Sequence, residues 1–357
     1  MNTVRHFVTA SGLISLLATA RVASANTTAT APQWVHVPGA LMRQDCVHQV
    51  PNGAHITEAG DVSLNGALIA HYDACPVQPI FTGPGVTPPS GIDIAPEAGG
   101  GWVEDIHEYL NLQSGDNIDY LHSNWGVPFI PPNAEEATIY IWNGIQSSQC
   151  AFGGNAYCAI MQPVLQFGQS CGNIEAGQGG GVQCLGGWSS WNIASWLVTN
   201  QSNTGYFSPP LNVNQYDEIE GVLSITGSSG GYNDWAVEAA DLTIGGSTTL
   251  YFDASTGIQW SQAFAGTLEA WNVPNSSSKS SCEFFPNNTG VLFYNTEVYH
   301  GFPQYEDVSG NWTGEVDANG PYDFGVQYSG YNCAFGYSVG SNNNGQGTNA
   351  LDWNVGG

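Results

Sequence analysis

Basic residues are nearly absent from this chain: four Lys and Arg stand against 30 Asp and Glu, a net charge of −26 at neutral pH. Two of the four, Arg5 and Arg21, fall in an N-terminal stretch read below as a removable leader, which leaves Arg43 and Lys279. A polyanion repels a phosphate backbone, so nucleic acid is excluded as a partner. Self-repulsion fades as carboxylates protonate, so the balance suits an acidic medium as well as it suits plain solubility. Also lacking is any run near the ~20 apolar residues of a membrane-spanning helix, and no membrane association is expected. No two cysteines stand at C-x₂₋₄-C spacing and no histidine sits at ligand spacing beside a pair, so no metal or other cofactor is expected. A G-x-S-x-G elbow is missing too, which leaves Ser/His/Asp chemistry without a local signature.

What is present points to the secretory route and to strands. Arg5, the apolar stretch from Phe7 to Ala20 and the Ala23-Ser24-Ala25 signature read as a signal peptide over 1–25. The expected location is therefore extracellular. The eight cysteines fall into neighbouring pairs, expected as Cys46–Cys75, Cys150–Cys158, Cys171–Cys184 and Cys282–Cys333. Five N-x-S/T acceptors, at Asn26, Asn200, Asn275, Asn287 and Asn311, mark expected exposed loops of a glycoprotein. Glycine is plentiful at 46 residues, and alternating runs recur between turn clusters at 137–142, 159–166, 191–198, 218–225, 235–242, 248–252, 266–273 and 290–294. That rhythm predicts an all-β chain of short strands, with turn clusters at sandwich-like intervals. Pro163 within one run predicts an edge strand or a bulge. A small unit bearing Cys46 and Cys75, a Pro/Gly-rich connector at 83–91, and a C-terminal stretch rich in Gly and Asn frame the alternating region. The last twenty residues carry no apolar period and are expected to be loosely ordered.

From about 133 to 300 four local patterns occur in order. Ile141-Trp142-Asn143-Gly144-Ile145 is similar to a W-x-G-I strand end, and Val164-Leu165-Gln166-Phe167-Gly168 to an I-L-Q-T-G segment. Trp188-Ser189-Ser190-Trp191 stands at the place of W-Y-E-W, and Leu268 to Val273 at that of A-E-W-I-V. Together they resemble the fungal glutamic peptidases (eqolisins). The resemblance implies a two-sheet antiparallel β-sandwich, a concanavalin A-like jelly roll, at 133–310, preceded by an N-terminal segment at 26–132 that is a candidate propeptide. A C-terminal extension at 311–357 would then close on the sandwich. It also implies a Glu/Gln dyad, with Glu269 as general acid and base on a water and Gln166 as the amide that orients it and meets the oxyanion. Trp142, Gln162, Trp188, Trp191 and Trp271 would border the substrate.

The departures are specific. Gln146 and Ser190 stand where the family has acids, and alignment on Trp271 places Ala270 rather than Glu269 at the acid's position. One step of strand register decides which of the two faces the cleft. Two further readings stay open. A silent relative would bind glycan or protein on the concave face through exposed tryptophans. A polysaccharide hydrolase or lyase would need two facing carboxylates, with Glu218, Glu220 and Glu238 as candidates on strands. His107, in Asp105-Ile106-His107-Glu108, is read as a surface histidine before it is read as a base. A monomer acting on an extracellular polypeptide or glycan is expected.

Overall fold

The computed structural model describes residues 34–82, 100–110, 117–133, 137–148, 150, 157–174, 181–271, 273, 283–286, 290–302, 306–307, 312–316, 334–341 and 347–354, all within one unit of the chain, Pro32–Gly357. Two large sheets stack face to face. The core of the first runs Gly181–Thr199, Ala159–Ile174, Thr138–Ser147, Trp260–Trp271 and Gly100–Tyr109, each antiparallel to the next. The second is ordered Gly290–His300, Ile118–Gly126, Glu218–Ser229, Tyr232–Asp241, Ser247–Ser255 and Ala54–Thr57 through its middle. Each of the eight alternating runs read from the sequence overlaps one of these strands.

Burial separates the two sheets. Along Ser247–Ser255 and Tyr232–Asp241 buried and half-buried residues alternate, as expected where one face meets the core and the other meets water. Along Thr138–Ser147 and Trp260–Trp271 every residue is buried. The first sheet is therefore covered on both faces. Its inner face packs on the second sheet through an apolar core containing Trp125, Trp191, Trp235 and Trp260. Its outer face carries a third layer that the two-sheet expectation did not include: a small sheet of Trp34–Val37, Ala40–Arg43 and Ile80–Phe81. Val37, Leu41 and Phe81 of this layer close a second apolar cluster over Trp102, Trp142 and Trp196. Burial of one such large side chain stabilises the layer by roughly 1.5–3 kcal/mol.

Three of the expected disulfides are formed, Cys46–Cys75, Cys150–Cys158 and Cys171–Cys184. Cys282 and Cys333 lie outside the described residues, as do residues 1–25, the connector at 83–91 and four of the five glycosylation acceptors. Asn200, the fifth, sits half-buried at a turn where its Oδ1 accepts from the Cys158 N–H at 2.9 Å. No helix among the described residues is long and apolar enough to cross a membrane.

Two sequence expectations are corrected. Pro163 lies in an interior strand, flanked on both sides. Its missing N–H is tolerated because the ladder to Thr138–Ser147 has no register partners between Trp142↔Val164 and Ile145↔Met161, and the irregularity falls on the neighbour, whose pairing with Trp260–Trp271 shifts between Trp142 and Gly144. The C-terminal residues are ordered at Gly347–Asn354, which pairs with Gly290–His300 and Ala334–Ser341. Asn349 and Leu351 both turn inward there, and the polar member of that pair conceals the alternation. The sheets also draw strands from upstream of 133: Gly100–Tyr109 belongs to the first, and Ile118–Gly126 and Ala54–Thr57 to the second.

One acid is interred at the edge of this packing. Glu104 is fully buried, its Oε2 accepting from the Gly336 N–H at 3.0 Å. Desolvation pushes its pKa well above the usual glutamate range against the help of that hydrogen bond, with Asp352 and Asp105 adding repulsion. A carboxyl raised in the folded state stabilises the fold fully below its unfolded value of ~4.3 and loses that contribution as pH climbs through the folded value. Glu104→Gln is expected to raise the urea unfolding midpoint at pH 8 and to leave it nearly unchanged at pH 4. Equal shifts at both pH values would contradict a neutral, buried Glu104.

Candidate active site beneath the N-terminal hairpin

The outer face of the first sheet presents one residue from each of five strands in a single row. Glu269 is paired with Trp102 on one side and Tyr140 on the other, Tyr140 with Gln166, and Gln166 with Asn192. Antiparallel partners face the same way, so Glu269, Tyr140 and Gln166 share this face. Glu269 and Gln166 flank the Tyr140 strand, and two strand spacings put their Cα atoms about 10 Å apart. Strand alternation settles the register. Ala270 turns into the inter-sheet core, whereas Glu269 and Trp271 project together and the Trp271 Nε1–H donates to Glu269 Oε1 at 2.9 Å.

Gln166 is held from its own strand. Ser170 Oγ donates to its Oε1 at 2.8 Å, and its Nε2 donates to the Gly168 carbonyl at 3.1 Å. A register shift between Gln166 and Gly168 makes this return possible. Gly168 adopts φ +102°, and a Cβ there would stand 2.7 Å from Thr138 Oγ1, so only glycine fits the bulge. Ser170 in turn lies 3.2 Å from the Tyr140 hydroxyl.

Glu269 is completely buried. Its Oε2 accepts from the Gly39 N–H at 2.9 Å, and Oε1 accepts a longer bond, 3.4 Å, from Thr82 Oγ1. Desolvation pushes its pKa up to about 8, against the hydrogen bonds from Gly39, Trp271 and Thr82 and the Trp142 indole, which lies close by but outside hydrogen-bond geometry. The carboxyl is thus an acid in this closed state.

What closes it is the third layer. Gly39 occupies the turn between Trp34–Val37 and Ala40–Arg43 with φ +78°, and a Cβ on it would come 2.8 Å from Gln162 Nε2. The backbone reaches the carboxyl only because no side chain intervenes. His36 stacks on Trp271 with ring centroids 4.2 Å apart, and burial lowers its pKa to about 4. The His36 carbonyl accepts from the Tyr140 hydroxyl at 3.4 Å. Cys46–Cys75 joins the foot of the hairpin to the segment leading into Ile80–Phe81.

Of the residues singled out from the sequence, Gln166, Glu269, Trp142, Gln162 and Trp271 come together under this hairpin. Gln162 is buried with neither end of its amide hydrogen-bonded. Trp191 is a correction: it turns to the opposite face, packs on Phe167 in the inter-sheet core and donates its Nε1–H to the Phe129 carbonyl at 3.3 Å. Trp188 stays outside the row, 38% exposed, with its Nε1–H on the Ala137 carbonyl at 2.9 Å. Gln146 is buried opposite Gln262, and Ser190 is half-buried. His107 is not at the surface. It is buried, stacks on Tyr109 and is hydrogen-bonded to Asp105.

The reading from sequence missed Tyr140, Ser170, Thr82 and the hairpin. Tyr140 was accessible by alternation, two residues before Trp142 on one strand, and Ser170 lies on Gln166's own strand, while Thr82 and the hairpin act across folds in the chain. For metals, Asp45, Cys46 and Cys75 cluster, but both sulfurs are spent in the disulfide. His55, Asp234 and Asp253 bring ligand atoms within 4.8 Å of one another on the outer face of the second sheet. Glu218, Glu220 and Glu238 are half-buried on that sheet, Glu218 accepting from the Tyr294 hydroxyl at 2.6 Å and Glu220 facing His122 Nε2 at 3.0 Å.

Neither a family model nor a curated protein matches this chain. Solved structures do. The chain is similar to Scytalido-glutamic peptidase bound to a peptide-based transition-state analog, at 15% identity and a TM-score of 0.41 over 72% of this chain and 98% of that one. The same peptidase with a transition-state analog inhibitor matches at 14% identity and a TM-score of 0.40 over the same shares. SCP-B, a member of the eqolisin family in complex with the tripeptide Ala-Ile-His, matches at 15% identity and a TM-score of 0.38, again over 72% and 98%.

Proposed function

We propose that this is a secreted acid endopeptidase of the glutamic type, folded in a latent state, with Glu269 and Gln166 as its hydrolytic pair. The observation that carries the reading is the Glu269 carboxyl itself, buried on the face it shares with Gln166 and capped by a backbone N–H that enters from another part of the chain. A carboxyl placed to accept from a peptide N–H is also placed to work on a peptide bond.

In the open enzyme Glu269 regains water and its pKa falls back toward ~4.3, where it serves as a base in an acidic medium. It takes a proton from a water lying between it and Gln166 as the water oxygen bonds to the scissile carbonyl carbon. The carbonyl π electrons move to oxygen, and a Gln166 amide N–H meets the charge that develops. Collapse of the tetrahedral intermediate breaks the C–N bond as Glu269 returns its proton to the leaving nitrogen.

Opening requires the hairpin to leave. Downstream of Cys46 the N-terminal segment is woven into both sheets through Val47–Gln49 and Ala54–Thr57, so the removable piece is the hairpin Trp34–Val37 and Ala40–Arg43. It is held by apolar packing and by its edge on Ile80–Phe81. A cut between Arg43 and Cys46 frees it and leaves the disulfide behind. The glycan-binding alternative needs exposed tryptophans on this face, and in the closed state Trp142, Trp196 and Trp271 are beneath the cover together with Glu269, so opening of the hairpin comes first on either reading.

With a specific protease site inserted between Gln44 and Asp45, protein cut after folding is expected to hydrolyse a denatured protein substrate at pH 3–5 at least ~10²-fold faster than uncut protein. Equal rates before and after the cut would contradict latency. In the cut enzyme Glu269→Gln is expected to abolish hydrolysis and Gln166→Ala to lower kcat by about 10²–10³, as for loss of one oxyanion donor. Hydrolysis retained in Glu269→Gln would remove Glu269 from the chemistry.

A further inference from the structure

Tyr140 stands between the two proposed hydrolytic groups, register partner of Glu269 on one side and of Gln166 on the other. It is completely buried, and desolvation raises its pKa, so the phenol keeps its proton. Proton counting fixes what that proton does. The hydrogen of Ser170 is given to Gln166 Oε1 at 2.8 Å, so at the 3.2 Å contact between Tyr140 and Ser170 the tyrosine is the donor. The same hydroxyl lies 3.4 Å from the His36 carbonyl oxygen. One hydrogen is therefore shared between two acceptors, a serine that orients Gln166 and a peptide carbonyl of the hairpin lodged in the cleft.

The hairpin sets two backbone groups against the site. Its His36 C=O faces Tyr140, and three residues on, its Gly39 N–H faces Glu269. From this placement we infer that Tyr140 is a third catalytic group, whose hydroxyl donates to the substrate carbonyl oxygen as it becomes an oxyanion. The inference rests on the reading of Glu269 and Gln166 as the hydrolytic pair. Against a neutral carbonyl the hydroxyl divides its hydrogen between that oxygen and Ser170. Once the water oxygen has bonded to carbon and the π electrons have moved to oxygen, the charged acceptor draws the hydroxyl away from Ser170. The interaction strengthens in the transition state, which is the condition for raising kcat rather than affinity. No proton leaves Tyr140: Glu269 both takes one from water and returns one to the leaving nitrogen.

The test is Tyr140→Phe in the enzyme with its hairpin cut and released, assayed on a denatured protein substrate beside wild type and Glu269→Gln. The expected result is a kcat lower by about 10²–10³, with KM changed less than about threefold, the pH midpoint of the acid limb unmoved and the unfolding midpoint close to that of wild type. A kcat within about threefold of wild type, with Glu269→Gln inactive, overturns the role of Tyr140 and leaves the dyad standing. A rise in KM at constant kcat assigns Tyr140 to packing and likewise overturns it. A wild-type enzyme that hydrolyses nothing after release of the hairpin overturns the dyad and the inference together. Should Tyr140→Phe lose its cooperative unfolding transition, 3-fluorotyrosine incorporated at 140 keeps the packing and makes the hydroxyl a stronger donor. A changed kcat then supports the role, and an unchanged kcat overturns it.

Discussion

The Glu269 carboxyl is buried where a backbone N–H from a distant part of the chain reaches its Oε2, and much of the surrounding structure follows from that contact. Burial of a carboxyl with nothing to meet it is expensive, and even neutral it needs a donor. Gly39 supplies one at 2.9 Å from 230 residues away in sequence. To bring it there the hairpin must pack its apolar side chains on the sheet, and that packing is the second core. Trp142 and Trp271, which would otherwise be exposed on a sheet face, become interior residues of a three-layer structure.

The same contact joins stability to protonation. In the closed state the carboxyl is neutral until the pH approaches 8, so the third layer sits over an uncharged group throughout the acidic range. Under the proposed opening the group would return to water and become an ordinary glutamate. A chain with 30 acids and almost no bases has few cations to compensate buried carboxylates. Glu104 and Glu269 are instead met by backbone N–H groups and kept in their protonated form.

Gln166 and Tyr140 illustrate a different economy. Neither depends on a charged neighbour for its orientation. A bulge at Gly168 bends the strand so that its own carbonyl and Ser170 grip the amide, and the tyrosine completes the chain of hydroxyls. The positions at which acids were looked for, Gln146 and Ser190, carry neutral side chains. In the structure the orienting work around Gln166 falls to Ser170 and Tyr140, in the same strand and the one beside it.

Local pattern was enough to place the strands, since side chains alternate with period two whatever the rest of the chain does. Neighbouring cysteines were enough to pair three disulfides. The order of short motifs was enough to single out Gln166 and Glu269. Tertiary structure alone decided whether Glu269 or Ala270 faces outward, because that choice depends on strand register and bulges that no local pattern reports. It also decided that Trp191 belongs to the inter-sheet core while Trp142 lies on the outer face under the hairpin, that Pro163 sits in an interior strand opposite a gap in the neighbouring ladder, and that the C-terminal residues complete a sheet. The hairpin over the site lay furthest from view in the sequence. Nothing in residues 34–43 announces a partner 230 positions away, and only the packing of the whole chain brings a glycine N–H to a glutamate that needs it.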